Sequence, residues 1–121
     1  MSYIAKDNKL FDLLSSDISI LSSAILGIKM HLVDFSLVIE VDFELLYGDE
    51  KHLKIVFSGI KKYAFYYQSD RIFYNVEVYK LLKRGMLFYI SFDPCDSDLS
   101  EISEKDNDMI LCESIEGYFY S

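Results

Sequence analysis

The sequence predicts a mainly β domain: a single antiparallel sheet of six to seven strands, curled toward a barrel or sandwich, with one short N-terminal helix. Three observations carry this. From residue 35 onward, apolar residues recur with a period of two, the repeat of a strand with one buried face. Val, Ile, Tyr and Phe dominate those stretches, and these side chains suit a pleated sheet. Turn signals separate the stretches, and short connections make neighbouring strands antiparallel. The 121 residues read as one domain (1–121), with no repeat at a fixed period and no linker. Hydrophobic residues make up 51%, enough for a core, while 5 Gly and 1 Pro are too few for a disordered chain.

The helix is expected over residues 7–16. Asp7 or Asn8 can cap it by accepting from free backbone N–H groups. Leu10, Phe11, Leu13 and Leu14 then form an apolar stripe at helical spacing. Residues 18–28 read as a strand, interrupted near Gly27. The clearest strand is 35–47, where Phe35, Leu37, Ile39, Val41, Phe43, Leu45 and Tyr47 share one face. Gly48, Asp49 and Glu50 form a turn, and Leu53, Ile55 and Phe57 resume the alternation, which makes a hairpin. Gly59 ends or bends that strand, and 60–67 continues with Tyr63, Phe65 and Tyr67 on one side. A turn at 68–71 leads to 72–82, read as strand although its second half is also helix-compatible. Arg84 and Gly85 turn the chain into 86–92, with Met86, Phe88, Ile90 and Phe92 facing one way. Pro94 lacks an N–H and ends that strand. An acidic loop spans 93–108, with room for one helical turn after Ser97 or Ser100, and 109–120 is the last strand.

Charge is the most informative feature for function. The net charge is −8. Asp93, Asp96, Asp98, Glu101, Glu104, Asp106, Asp108, Glu113 and Glu116 are opposed within 93–116 by Lys105 alone, while the remaining acidic and basic groups balance. The whole net charge therefore falls in one segment. Such a patch repels nucleic acid and anionic membranes and attracts basic partners. Lys61, Lys62, Lys80, Lys83 and Arg84 lie near aromatics, but binding phosphate depends on cation count, and the total is against it. The longest uncharged run, 18–28, is shorter than the roughly 18–20 residues a membrane helix needs. The N-terminus lacks a basic region leading into an apolar run, so a cytoplasmic location is expected, with Cys95 and Cys112 as free thiols.

Chemistry is sparse. The five glycines are too far apart for a phosphate loop, and no Ser stands in a nucleophile elbow. His31 and His52 read as structural imidazoles. Cys95 lies among carboxylates, which disfavour a thiolate. Two cysteines at this spacing do not make a zinc site. An EF-hand frame started at Asp96 places Asp98 and Ser100 well, but puts Glu101 at the required Gly and Asn107 at the required Glu. No catalytic residue, cofactor or metal is expected. Tyr and Phe make up 16%, and pairs such as Tyr66 with Tyr67 place rings on both faces of a strand, as interfaces do.

The runs Leu53–Ile60, Ser91–Pro94 and Ser103–Ile110 carry a resemblance. They contain a strand ending in Phe57, Ser58, Gly59 and Ile60, then Ser91, Phe92, Asp93 and Pro94, then Asp106, Asn107 and Asp108 before the last strand. In these the chain resembles a small bacterial family of single-domain proteins with no assigned activity, similar to immunity-type partners of bacterial toxins. The resemblance implies a β fold and a protein partner, and no catalytic residues. The expected function is accordingly a non-catalytic, cytosolic binding protein that occludes a basic partner such as a toxin. Its partner-binding residues would be Asp93, Asp96, Asp98, Glu101, Glu104, Asp106 and Asp108. A small-ligand-binding β barrel with an aromatic-lined cavity is the alternative, and an enzyme using paired carboxylates is a third class.

Overall fold

The computed structural model describes residues 1–70, 72–96 and 98–121. Arg71 of the expected turn, and Ser97 as one start of a helical turn, lie outside the described residues. The elements are β1 (Ser2–Lys6), α1 (Asp7–Leu14), β2 (Ser23–Val33), β3 (Ser36–Glu44), β4 (His52–Ala64), β5 (Asn75–Val76), β6 (Lys80–Arg84), β7 (Leu87–Asp93) and β8 (Asn107–Tyr120). They form one curled antiparallel sheet in the order β5-β2-β3-β4-β8-β7-β6, with β1 also paired to β8. The mainly β fold with its short N-terminal helix is as the sequence predicts.

The β3–β4 hairpin follows the alternation. Ile39 lies opposite Phe57, Val41 opposite Ile55 and Phe43 opposite Leu53, and all six are buried. The ends of the predicted 35–47 strand differ. Phe35 and Tyr47 are exposed because the strand stops at Ser36 and Glu44, and both rings stand in the flanking turns. Gly59 does not end β4. It takes a φ of +62° at a kink where a Cβ would meet the Glu113 side chain at 2.6 Å, and the register shifts just beyond it. The expected 18–28 strand lies further on, at Ser23–Val33, with an irregularity between Ile25 and Gly27. The expected 72–82 strand divides into β5 and β6. Met86 is exposed in the turn from β6 to β7.

Helix α1 covers the concave side of the curl. Leu10 and Leu14 are buried in the core beside Ile55, Phe57, Ile115 and their neighbours. Gly117 allows this approach, since a Cβ there would lie 2.7 Å from a Leu10 methyl. Neither Asp7 nor Asn8 caps the helix. Lys6 is the N-cap residue, with no side-chain cap. Asp7 has a φ of 52°, and its carboxylate accepts from Ile115 N at 3.0 Å and Ser114 Oγ at 2.7 Å. That position on β8 falls between the stretches paired with β7 and β1, so Asp7 satisfies a backbone donor that neither strand reaches.

The interior is filled. The space among Leu14, Ile55, Phe57, Phe88, Ile110 and Ile115 amounts to about 10 Å³, room for one water at most. Cys95 is exposed, Cys112 is buried, and both are free thiols. Burial pushes the Cys112 thiol up to about 12. Among the described residues, no helix is long and apolar enough to cross a membrane.

Candidate partner-binding site

The acidic loop joins β7 to β8, and its geometry starts from one buried carboxylate. Asp106 Oδ2 accepts from Tyr89 Oη at 2.6 Å, Lys80 Nζ at 3.0 Å and Ser103 N at 3.1 Å. Its Oδ1 accepts from Lys80 Nζ and from Cys95 N, each at 3.1 Å. Asp106 thus ties the start of the loop at Cys95 and its later part at Ser103 to β6 and β7. The side chains of Lys80 and Asp106 are both fully buried. Burial opposes ionisation, yet the bonds from Tyr89, Cys95, Lys80 and Ser103 hold the Asp106 carboxyl well below the ordinary range. For Lys80, burial acts to lower the ammonium pKa, but the bonds and charge of Asp106 raise it on balance. Burial, reinforced by Asp106, raises the Tyr89 hydroxyl strongly, so it stays a donor.

Outside this anchor the loop presents its remaining carboxylates to solvent. Asp96 is half exposed and lies 3.7 Å from Lys80 Nζ. Asp98 accepts from Ser100 N at 3.0 Å and Ser100 Oγ at 2.6 Å, bonds that lower its pKa. Glu101 is exposed, 3.7 Å from Arg84, which also donates to the Ser100 carbonyl at 2.7 Å. Glu104 is exposed. Asp96, Glu101, Glu104, Cys95 and Ser103 surround an open hollow of about 710 Å³. Among the described residues, the loop contains no helical turn.

The seven carboxylates expected to bind a partner therefore divide. Asp96, Asp98, Glu101 and Glu104 share the exposed loop. Asp93 is half-buried and accepts from Asn107 Nδ2 at 3.2 Å. Asp106 and Asp108 are buried, and Asp108 accepts from Tyr66 N at 2.9 Å. Those two face into the protein, where their carboxylates bond to the chain itself. The fold also spreads the charge. Glu113 lies 3.7 Å from Lys61, and Glu116 lies 3.7 Å from Lys6. Lys80, Arg84 and Tyr89 were not expected to hold the acidic loop, and Asp7, expected as a helix cap, bonds to β8 instead. One signal for Lys80 was its place between Tyr79 and Leu81 in an apolar run.

A cation position exists here, and the protein fills it. Cys95, Asp96 and Asp106 bring one ligand atom each within 4.8 Å of one another. The Lys80 ammonium lies within 3.1 Å of Asp106 and 3.7 Å of Asp96. The two histidines lie elsewhere on the sheet. His31 Nε2 is 2.7 Å from Glu40, which also pairs with Lys54 at 3.3 Å. Burial would raise Glu40, but His31 and Lys54 hold its carboxyl below the usual value. His52 stacks on Tyr120 with ring centroids 5.1 Å apart. No family model, curated protein or solved structure matches the chain.

Proposed function

We propose that this chain is a non-catalytic, cytoplasmic binding protein that holds a basic protein partner with Asp96, Asp98, Glu101 and Glu104. The observation behind this reading is the anchoring of the loop by Asp106, Lys80 and Tyr89. A floppy acidic loop loses conformational entropy when it binds. One already tied down at Cys95 and Ser103 loses less, so more of the contact energy appears as affinity. Exposed carboxylates of one sign also speed encounter with a cationic surface. The mechanism is occlusion: the loop's carboxylates pair with Lys and Arg of the partner's substrate site. A toxin that acts on nucleic acid has such a site and is the proposed partner class.

Zero-length carbodiimide crosslinking tests this, because it joins carboxylates only to amines in direct contact. The protein is added to extract of its source cells, and crosslinked peptides are mapped. A basic protein joined through Asp96, Asp98, Glu101 or Glu104, and lost in the Asp96→Asn, Asp98→Asn, Glu101→Gln triple variant, supports the proposal. No capture, or capture unchanged in that variant, overturns it.

A further inference from the structure

The edge of β2 carries a second, independent feature. Two residues of β2, Ser23 and Ala24, pair with β5, and Ile25 N donates to the Tyr74 carbonyl at 2.6 Å. From Leu26 to Val33, among the described residues, the outer edge of β2 has no strand beside it. Natural sheets usually blunt such an edge with charge, proline or a covering loop. This one is apolar. Leu26, Met30, Leu32 and Val33 are all exposed, Leu32 at 67%.

The turn beyond the edge is more unusual. Asp34 and Phe35 join β2 to β3 with φ values of 50° and 65°. Positive φ at both central positions is the pattern of a type I′ turn, which strongly favours Asn and Gly. Phenylalanine there is strained, and its ring is 97% exposed. One residue thus combines backbone strain with an unburied aromatic ring.

We infer that β2 pairs antiparallel with β2 of a second copy about a two-fold axis at Met30. The register follows from the residues. In an antiparallel pair, directly opposed side chains share a face. An axis at Met30 sets Met30 against itself and Ile28 against Leu32 of the other copy. The first of these residues lie opposite Ile39 and Val41 of β3, so they belong to the core-facing side. An axis at Lys29 would instead oppose two ammonium groups. With the axis at Met30, Phe35 of each copy falls at the end of the other's free edge, beside Leu26, next to where Tyr74 takes over the edge at Ile25. An open apolar groove of about 470 Å³ lies there, lined by Ile25, Leu26, Ile28, Met30, Phe65 and Phe73. The strained ring on one copy meets a groove on the other, twice, as an isologous interface requires.

The area is sufficient. At about 180 Å² for a fully exposed large apolar residue, Leu26, Met30, Leu32, Val33 and Phe35 offer about 550 Å² per copy. Two copies offer at most about 1,100 Å² of this side-chain surface before any backbone is counted, against the roughly 1,000 Å² a specific interface needs. The axis sets Lys29 opposite His31 of the other copy, and each His31 already has the Glu40 carboxylate of its own chain 2.7 Å from Nε2. The acidic loop leaves β7, near the opposite edge of the sheet.

Sedimentation equilibrium of the full chain tests the pairing. The protein should sediment at twice its 14.1 kDa at micromolar concentration. Leu32→Lys and Phe35→Asn should each be monomeric, and Phe35→Asn should melt no lower than the parent monomer because Asn suits the turn. In a Cys95→Ser background, Met30→Cys should crosslink to itself on mild oxidation, since opposed Cα atoms about 4.5–5.5 Å apart fit a disulfide. Met86→Cys, more exposed than Met30 but in the β6–β7 turn, should not. A parent chain that stays monomeric at 100-fold higher concentration than is needed for half-association of ordinary micromolar dimers overturns the inference. So does a dimer that survives both substitutions, or crosslinking that is as fast at Met86 as at Met30.

Discussion

At the scale of single residues, Asp106 matters most. It looked like any other carboxylate in the acidic run, because the partners that bury it are remote in sequence. Lys80 is 26 positions away and Tyr89 is 17. Asp108 was equally opaque, its donor Tyr66 lying 42 positions back. Removing one partner of a buried ion pair strands the other charge. Asp106→Ala strands Lys80 and three further donors, and should cost about 3–5 kcal/mol in denaturant unfolding. Lys80→Met leaves Asp106 with Tyr89 and two backbone N–H groups, and should cost less, about 1–3 kcal/mol. Equal losses from the two substitutions would contradict the ordering. The pH dependence has a definite sign. Asp106 ionises more readily folded than unfolded, so its contribution is present above about pH 4 and fades as pH falls below that. Lys80 and Tyr89 hold their protons more tightly when folded, so theirs is present below about pH 10 and fades as pH rises beyond it. In Asp106→Asn the acid limb of the melting curve should flatten.

Elements were legible wherever the alternation was long. The β3–β4 pairing follows from that alternation, with Ile39, Val41 and Phe43 opposite Phe57, Ile55 and Leu53. Strand β1 leaves no such signal, since five residues are too few to display a period. The 72–82 stretch looked continuous in composition, but β5 and β6 lie at opposite edges of the sheet, so the chain must leave it between them. The acidic loop was visible as an element, but its tether at Cys95 and Ser103 was not, because that depends on Asp106 facing inward. The same geometry makes a calcium prediction. The Lys80 ammonium already occupies the position between Asp96 and Asp106. Millimolar calcium should therefore leave the melting temperature unchanged. A specific ion at a hundredfold excess over its dissociation constant would add about 2.7 kcal/mol, and a saturable rise would refute the prediction.

For the whole molecule, the uneven charge along the chain becomes a less uneven surface. Lys6, Lys61, Lys80 and Arg84 come from balanced regions of the sequence to meet Glu116, Glu113, Asp106 and Glu101. What remains concentrated is the exposed carboxylate group on the β7–β8 loop, and the account rests on that group being a docking surface. The most direct measurement is the association rate of the crosslink-identified partner at 0.1 M and 1 M salt, where the screening length falls from about 10 Å to about 3 Å. Two variants that remove the same charge are compared: Asp96→Asn, Asp98→Asn, Glu101→Gln on the loop, and Asp17→Asn, Asp49→Asn, Glu50→Gln at exposed positions elsewhere. The account predicts that the loop variant alone binds at least 10-fold more slowly at low salt, and that the difference shrinks at high salt. Equal slowing by both variants, or a rate indifferent to salt, would contradict it.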